Sequence, residues 1–236
     1  MPTTIIRALP AALAAIAVSL WSSATASADD GVPNNDFRIG SYTVFYRASA
    51  TDLQGPFVPA GVNFDVENLE TLYLGYLRRL SPHFTFELAM GVPPISKTKG
   101  SGPPFLGSAP YNGQVISTVK WFAPTALIEY NFFAESAPVR PFIGIGINYT
   151  NFYARDSTAA GDAVSGGPTK LSLPSSIGPA ATVGLTWRPA PHWDLNASYS
   201  ASKVNARLTA DTAGEIRTSH IEFNPQALIL SVGYAF

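Results

Sequence analysis

In the stretch Val139-Arg140-Pro141-Phe142-Ile143-Gly144-Ile145-Gly146-Ile147-Asn148-Tyr149-Thr150, every odd position carries an apolar or aromatic side chain, while the even positions, Phe142 apart, are polar or glycine. An apolar period of two belongs to an extended strand; a helix would repeat near 3.6. Ser176 to Arg188 repeats the pattern, with Ile177, Pro179, Ala181, Val183, Leu185 and Trp187 against Ser176, Gly178, Ala180, Thr182, Gly184 and Thr186. Trp193 to Ser200 does so again, setting Trp193, Leu195, Ala197 and Tyr199 against Asp194, Asn196, Ser198 and Ser200.

Extending the template outward predicts strands near 37–47, 70–80, 83–96, 115–133, 138–154, 175–188, 192–209 and 217–236. Their connections alternate in length. Arg47–Leu69, Lys97–Gly113 and Arg155–Pro174 are long, Asp211–Glu215 is moderate, and the links at Ser81-Pro82, Glu135-Ser136-Ala137 and Pro189-Ala190-Pro191 are short. Eight strands with all their tight turns at one end describe an all-β, antiparallel, up-and-down arrangement. Loop three, rich in Gly, Ala, Ser and Thr, and loop two, with Pro93-Pro94 and Pro103-Pro104, read as flexible surface.

A soluble barrel would turn the greasy face inward, whereas a transmembrane barrel turns it toward lipid around a polar lumen. Gly144, Gly146, Gly178, Gly184, Ser198 and Ser200 make an odd wet surface but suit the crowded interior of an eight-stranded barrel. Phe37, Tyr76, Phe84, Tyr130, Phe132, Trp187, Trp193, Tyr234 and Phe236 stand on the greasy face beside the short-turn ends, as an interfacial girdle requires. The chain ends with Leu228, Leu230, Val232, Tyr234 and Phe236 in one phase, about the length of a spanning strand. Above Leu228 that phase turns polar through Gln226, Asn224 and Glu222, where a bilayer would stop. The predicted fold is therefore an eight-stranded transmembrane β-barrel in a bacterial outer membrane.

Composition agrees. Of 236 residues, 46% are hydrophobic and 13% charged, about half the roughly 25% charge of an ordinary soluble domain. Lipid over the outer band accounts for the missing charges. Fifteen Lys and Arg against 16 Asp and Glu, with no basic run, exclude a nucleic-acid partner. Without Cys there is no thiolate metal site, disulfide framework or Cys nucleophile. At the N-terminus, Arg7, the apolar run Ala8–Leu20 and Ala26-Ser27-Ala28 read as a secretory signal over 1–28 with an A-x-A site, leaving 29–236 as the barrel.

The run Arg140–Thr150 and the ending Ser231-Val232-Gly233-Tyr234-Ala235-Phe236 resemble the OmpW family of small outer-membrane proteins, a similarity that extends from Asp36 to Phe236. The resemblance implies an eight-stranded barrel with a narrow, partly hydrophobic interior, uptake or efflux of small hydrophobic compounds, and service as a receptor for some bacteriocins. It also implies that the C-terminal strand ending in Phe236 is the signal read by the outer-membrane assembly machinery. One departure bears on ligand class: Ser200 and Ser202 stand where family members often carry bulky apolar lumen residues.

The lumen phase brings Arg38, Glu87, Glu129 and Arg140 inward near the short turns. Enclosed charges must be paired, so these form either a salt-bridge layer that staples and plugs the periplasmic end or a gating ring. Tyr42, Val44, Tyr73, Leu77, Leu127, Phe133 and Phe142 share the register and line either a narrow passage for an apolar solute or a side-chain-filled core. Phe105, Trp121 and Phe152 are candidates for a capture surface at the barrel mouth, with Trp121 and Phe152 equally placed for an external girdle.

No catalytic residues emerge. Ser219 and His220 are neighbours and so point to opposite faces of a strand, and no motif for a metal, nucleotide or other cofactor is present. The expected function is a narrow passage carrying small hydrophobic molecules across or into the outer membrane. The alternative is a closed structural or receptor barrel whose external loops bind a partner.

Overall fold

The computed structural model describes residues 33–236, so the proposed signal segment 1–28 lies outside the described residues. Eight staves run antiparallel: β1 (Asn35–Tyr46), β2 (Leu69–Arg79), β3 (Phe84–Gly91), β4 (Thr125–Asn131), β5 (Val139–Ser157), β6 (Ser176–Ala190), β7 (Trp193–Ser202) and β8 (Pro225–Ala235). Each pairs with its sequence neighbour, and β8 returns to β1 from Asp36↔Ala235 through Tyr46↔Pro225, which closes the cylinder. Closure removes the unpaired sheet edges that hydrocarbon would not tolerate.

The period of two is realised as an inverted protein. Ile143, Ile145, Ile147, Val183 and Leu230 all face outward, Ile145 keeping 73% of its surface exposed. Inside, Phe142 retains 2%. A methyl added at Gly184 would lie 2.4 Å from Phe142 Cζ, so that glycine makes room for the ring across the strand pair. The girdle residues Phe37, Phe84, Tyr130, Phe132, Trp187, Trp193, Tyr234 and Phe236 are exposed at the short-turn end. Two turn histidines brace this belt: His83 stacks on Tyr130 and His192 on Tyr234, each with Nδ1 2.9 Å from a backbone carbonyl oxygen.

Four of the eight predicted strands are interrupted. Breaks at Val92–Pro94, Ala123–Pro124, Lys203–Val204 and Phe223–Asn224 divide the spanning barrel from a second tier of strands on the loop side. At three of them prolines supply the reason, since Pro93, Pro94, Pro124 and Pro225 have no N–H to offer the ladder; the Lys203–Val204 break lies opposite the one that precedes Pro225. The upper tier consists of Ile95–Ser101, Val115–Phe122, the top of β5, Asn205–Thr212 and Glu215–Glu222, with short strands at Ser49–Ala50, Asn63–Val66 and Thr169–Ser172.

Much of the predicted flexible loop is therefore ordered. Lys97–Gly113 contains most of a strand and a small hairpin, Phe105–Leu106 with Ala109–Pro110. Arg155–Pro174 contains helix α1 (Ala159–Ser165), started by the Thr158 hydroxyl accepting from Gly161 N at 3.1 Å and ended by left-handed Gly166. The Asp211–Glu215 link is a two-residue hairpin through Ala213 and Gly214, both at positive φ, as a turn matching strand twist demands.

Candidate functional site

The two tiers enclose different interiors. Between the upper strands and under the loops lies a cavity of ≈ 590 Å³, within the size range of small-molecule pockets. Its wall is mainly apolar and aromatic, with Tyr42, Tyr46, Phe64, Trp121, Phe152 and Phe223 prominent. Phe152 and Phe223 lie 5.3 Å apart centroid to centroid, and Tyr46 meets Phe223 edge-on at 6.4 Å. Trp121 Nε1 donates to Ser96 Oγ at 2.8 Å, so the indole buries its polar atom satisfied. Helix α1 and the segment Phe57–Pro59 contribute to the lining from the loop side. Near the loops Tyr111 donates to the Asn63 carbonyl, and burial pushes its phenol up to about 12.

Below the cavity the barrel is filled. Tyr73, Leu77, Leu127 and Phe142 are buried, and among them sits a polar layer. Arg38 Nε lies 3.0 Å from Asp36 Oδ2 and 3.1 Å from Asp194 Oδ1, while its Nη2 is 3.4 Å from Thr186 Oγ1. The Asp194 contact meets the ion-pair distance but not hydrogen-bond alignment. Between the adjacent strands β2 and β3, Tyr73 donates to Glu87. Glu129 is 1% exposed, and its Oε1 finds no hydrogen-bond donor among the described residues. The layer thus gathers Arg38, Glu87 and Glu129, which the lumen phase identified, and adds Asp36 and Asp194. Both additions were legible: Asp194 shares the polar phase of Asn196 and Ser198, and Asp36 stands two residues from Arg38 on the same face.

Three expectations need correction. Arg140 is buried, but its guanidinium reaches the Pro82 carbonyl at 2.7 Å and those of Phe132 and Phe133 at 3.3 Å. It ties two turns together and makes no ion pair with the layer. Phe133 is 63% exposed with φ of +64° and does not line the lumen, because the inward phase stops at Asn131 where the turn begins. Phe105 is exposed on the loop-two hairpin and does not line the cavity, whereas Trp121 and Phe152 do, facing inward and not toward an external girdle. Parity held the clue for Trp121, since it continues the inward phase of Leu127 and Glu129 past Pro124.

In the wall beside the cavity, ladder pairing lapses between the end of β7 and the start of β8. Paired positions run to Ala201↔Gln226 and resume at Asn205↔Glu222, bridged by Phe223 N donating to Val204 O at 2.8 Å. Ser202 and Pro225 line both the cavity and an outward groove that continues over Ala181, Ala201, Ile145 and Ile147.

Residues 36–236 match the model of the OmpW family. The chain belongs to the OmpW family. It is 31% identical over 165 residues to outer membrane protein W of Vibrio cholerae serotype O1, covering 70% of this chain and 72% of that one. It is 35% identical over 124 residues, 51% of this chain and 54% of the relative, to the dibenzothiophene metabolism operon protein DoxH of a Pseudomonas species. Among solved structures it is similar to outer membrane protein OprG of Pseudomonas aeruginosa, with a TM-score of 0.77, 19% identity, and coverage of 87% and 96% of the two chains. Similarity to outer membrane protein AlkL has a TM-score of 0.62 at 17% identity, covering 89% and 94%. The OmpW relatives are outer-membrane proteins and the solved neighbours share the barrel fold, so the chain is an outer-membrane barrel.

Proposed function

We propose that this OmpW-family barrel passes small hydrophobic molecules from the cell exterior into the outer membrane, admitting them at the loops and releasing them sideways. The reading rests on one observation: an apolar cavity blocked underneath by a packed, charged layer shares Ser202 and Pro225 with a groove on the lipid-facing wall. An apolar solute leaving water for such a cavity gains about 25 cal/mol per Å² of apolar surface buried. Crossing the polar layer would forfeit that gain and disturb buried charges. Lateral exit keeps the solute in an apolar medium throughout. The name of the DoxH relative, which places it with dibenzothiophene metabolism, is in keeping with an aromatic solute.

Uptake of the fluorescent hydrophobic probe N-phenyl-1-naphthylamine by cells expressing the barrel tests the route. Ala123→Trp and Ala210→Phe fill the cavity itself, whereas Gly144 and Ser198 lie on the packed staves below it. The filled variants are expected to take up probe at the rate of cells without the protein. The chain has no Cys, so Ser202→Cys with Pro225→Cys introduces a single pair across the seam where pairing lapses, expected to slow uptake when oxidised and to recover with reductant. Unchanged uptake in the filled variants would leave the closed receptor barrel as the better reading.

A further inference from the structure

The apolar cavity carries one full positive charge toward its loop end. Arg217, on strand Glu215–Glu222, continues the inward phase of Ser219, Ile221 and Phe223; it is nine-tenths buried and lines the cavity. Its Nε donates to Pro56 O at 3.1 Å, and Nη1 to Ser165 O and Thr212 Oγ1, both at 3.3 Å. Nη2 reaches only Ser165 O, at 3.4 Å. Carbonyl and hydroxyl dipoles satisfy donors without cancelling charge, and these contacts are longer than the usual 2.9–3.0 Å.

Among the described residues no carboxylate lies within ion-pair distance of Arg217. Of the acids in the same loops, Asp52 accepts from Gly61 N and Asn63 Nδ2, Asp162 from Thr169 N, and Asp211 from Gly214 N, while Glu215, two residues before Arg217, is exposed and forms no ion pair with it. The ion pairs formed among the described residues join Arg38 to Asp36 and Asp194, Arg79 to Glu135, and Lys99 to Glu67. Arg140 is also held by carbonyls, but it belongs to the short turns and does not line this cavity. A buried guanidinium without a counter-ion is costly to keep, and a site that retains one over an apolar chamber is matched to an anion with an apolar body.

Resting on the passage proposed above, we infer that the cavity selects amphipathic aromatic monocarboxylates, with the carboxylate on Arg217 and the ring system against the aromatic wall at Trp121, Phe152 and Phe223. Arg offers a planar fork that a carboxylate can engage with two parallel hydrogen bonds, shorter than the carbonyl contacts they would displace. Arg217 is then a specificity-determining residue, setting which aromatic solutes dwell in the cavity.

The test compares 2-naphthoate with 2-methylnaphthalene, which differ by carboxylate against methyl, binding to the folded barrel in nonionic detergent. Wild type, Arg217→Gln and Arg217→Lys are titrated side by side, with folding of each verified by its heat-dependent migration in SDS gels. Comparing the ratio of the two affinities between wild type and each variant in the same detergent cancels partitioning into micelles, which is fixed for each ligand. The expected result is a fall of at least tenfold in the naphthoate preference of Arg217→Gln, about 1.4 kcal/mol, with 2-methylnaphthalene affinity unchanged and an intermediate preference in Arg217→Lys, which keeps the charge but loses the fork. An unchanged ratio in Arg217→Gln overturns the assignment, as does an equal loss for both ligands, which would make Arg217 a loop staple only. Failure of wild type to bind either ligand would instead remove the passage reading, and this inference with it. Binding of 2-methylnaphthalene without any wild-type preference for naphthoate would remove this inference alone.

Discussion

Replacing Arg38 with Met isolates the energetics of the polar layer. The guanidinium holds two carboxylates, Asp36 at 3.0 Å and Asp194 at 3.1 Å, and the three side chains are 5%, 14% and 3% exposed. Asp36 Oδ1 and Asp194 Oδ1 have no hydrogen-bond donor among the described residues, so little else steadies either charge when the cation is removed. Taking away one partner of a buried pair costs about 3–5 kcal/mol, chiefly because the other charge is stranded. Here two acids are stranded, which places Arg38→Met toward the upper end of that range. Urea unfolding of the barrel refolded into lipid vesicles, followed by tryptophan fluorescence, reads the effect. With a slope of about 2 kcal/mol per molar urea, the midpoint should fall by roughly 2 M. Adding Asp194→Asn should restore at least about 1 kcal/mol, since an amide in place of a stranded carboxylate removes one uncompensated charge. A midpoint shift below about 0.5 M, or a double variant no more stable than Arg38→Met, would refute the claim that this cation holds the layer together.

Gly184→Ala should destabilise the barrel by about 1–3 kcal/mol in the same assay, because its methyl would fall 2.4 Å from Phe142 Cζ; adding Phe142→Leu should recover part of that loss. Tyr111→Phe should flatten the alkaline limb of stability. The wild-type phenol is raised from 10.0 to about 12, so its contribution is complete below pH 10 and lost as pH rises through about 12, and the two proteins should diverge in that window. Removing Phe236, the exposed end of the last apolar row on β8, should lower the amount of folded protein in isolated outer membranes while leaving refolding into vesicles nearly intact. That separation would assign Phe236 to recognition by the assembly machinery, and an equal loss in both assays would assign it to stability.

Several features of this barrel are local and could be read one strand at a time. Side chains on a strand alternate faces whatever lies beyond it, so Ile143, Ile145 and Ile147 declared an outward band, and Gly144, Thr182 and Ser198 an inward one, before any pairing was known. Turn spacing supplied strand number and direction. Parity placed Arg38, Glu87 and Glu129 inside together. It failed at Phe133, where the turn backbone takes a positive φ and the alternation ends, and it missed the divisions at Pro93-Pro94 and Pro124, where the pattern resumes beyond the break.

The amino-acid sequence by itself determined the barrel, its inversion toward lipid and the sign of each face, because all three follow from a two-residue period and the solvent on either side. Only the tertiary structure decided who meets whom across the lumen. That Arg38 takes Asp194 while Arg140 takes turn carbonyls, that Trp121 faces a cavity, and that Arg217 stands over it without an acid all depend on closure. The tilt and register of eight staves bring residues far apart in the chain to one level, and no local period carries that information.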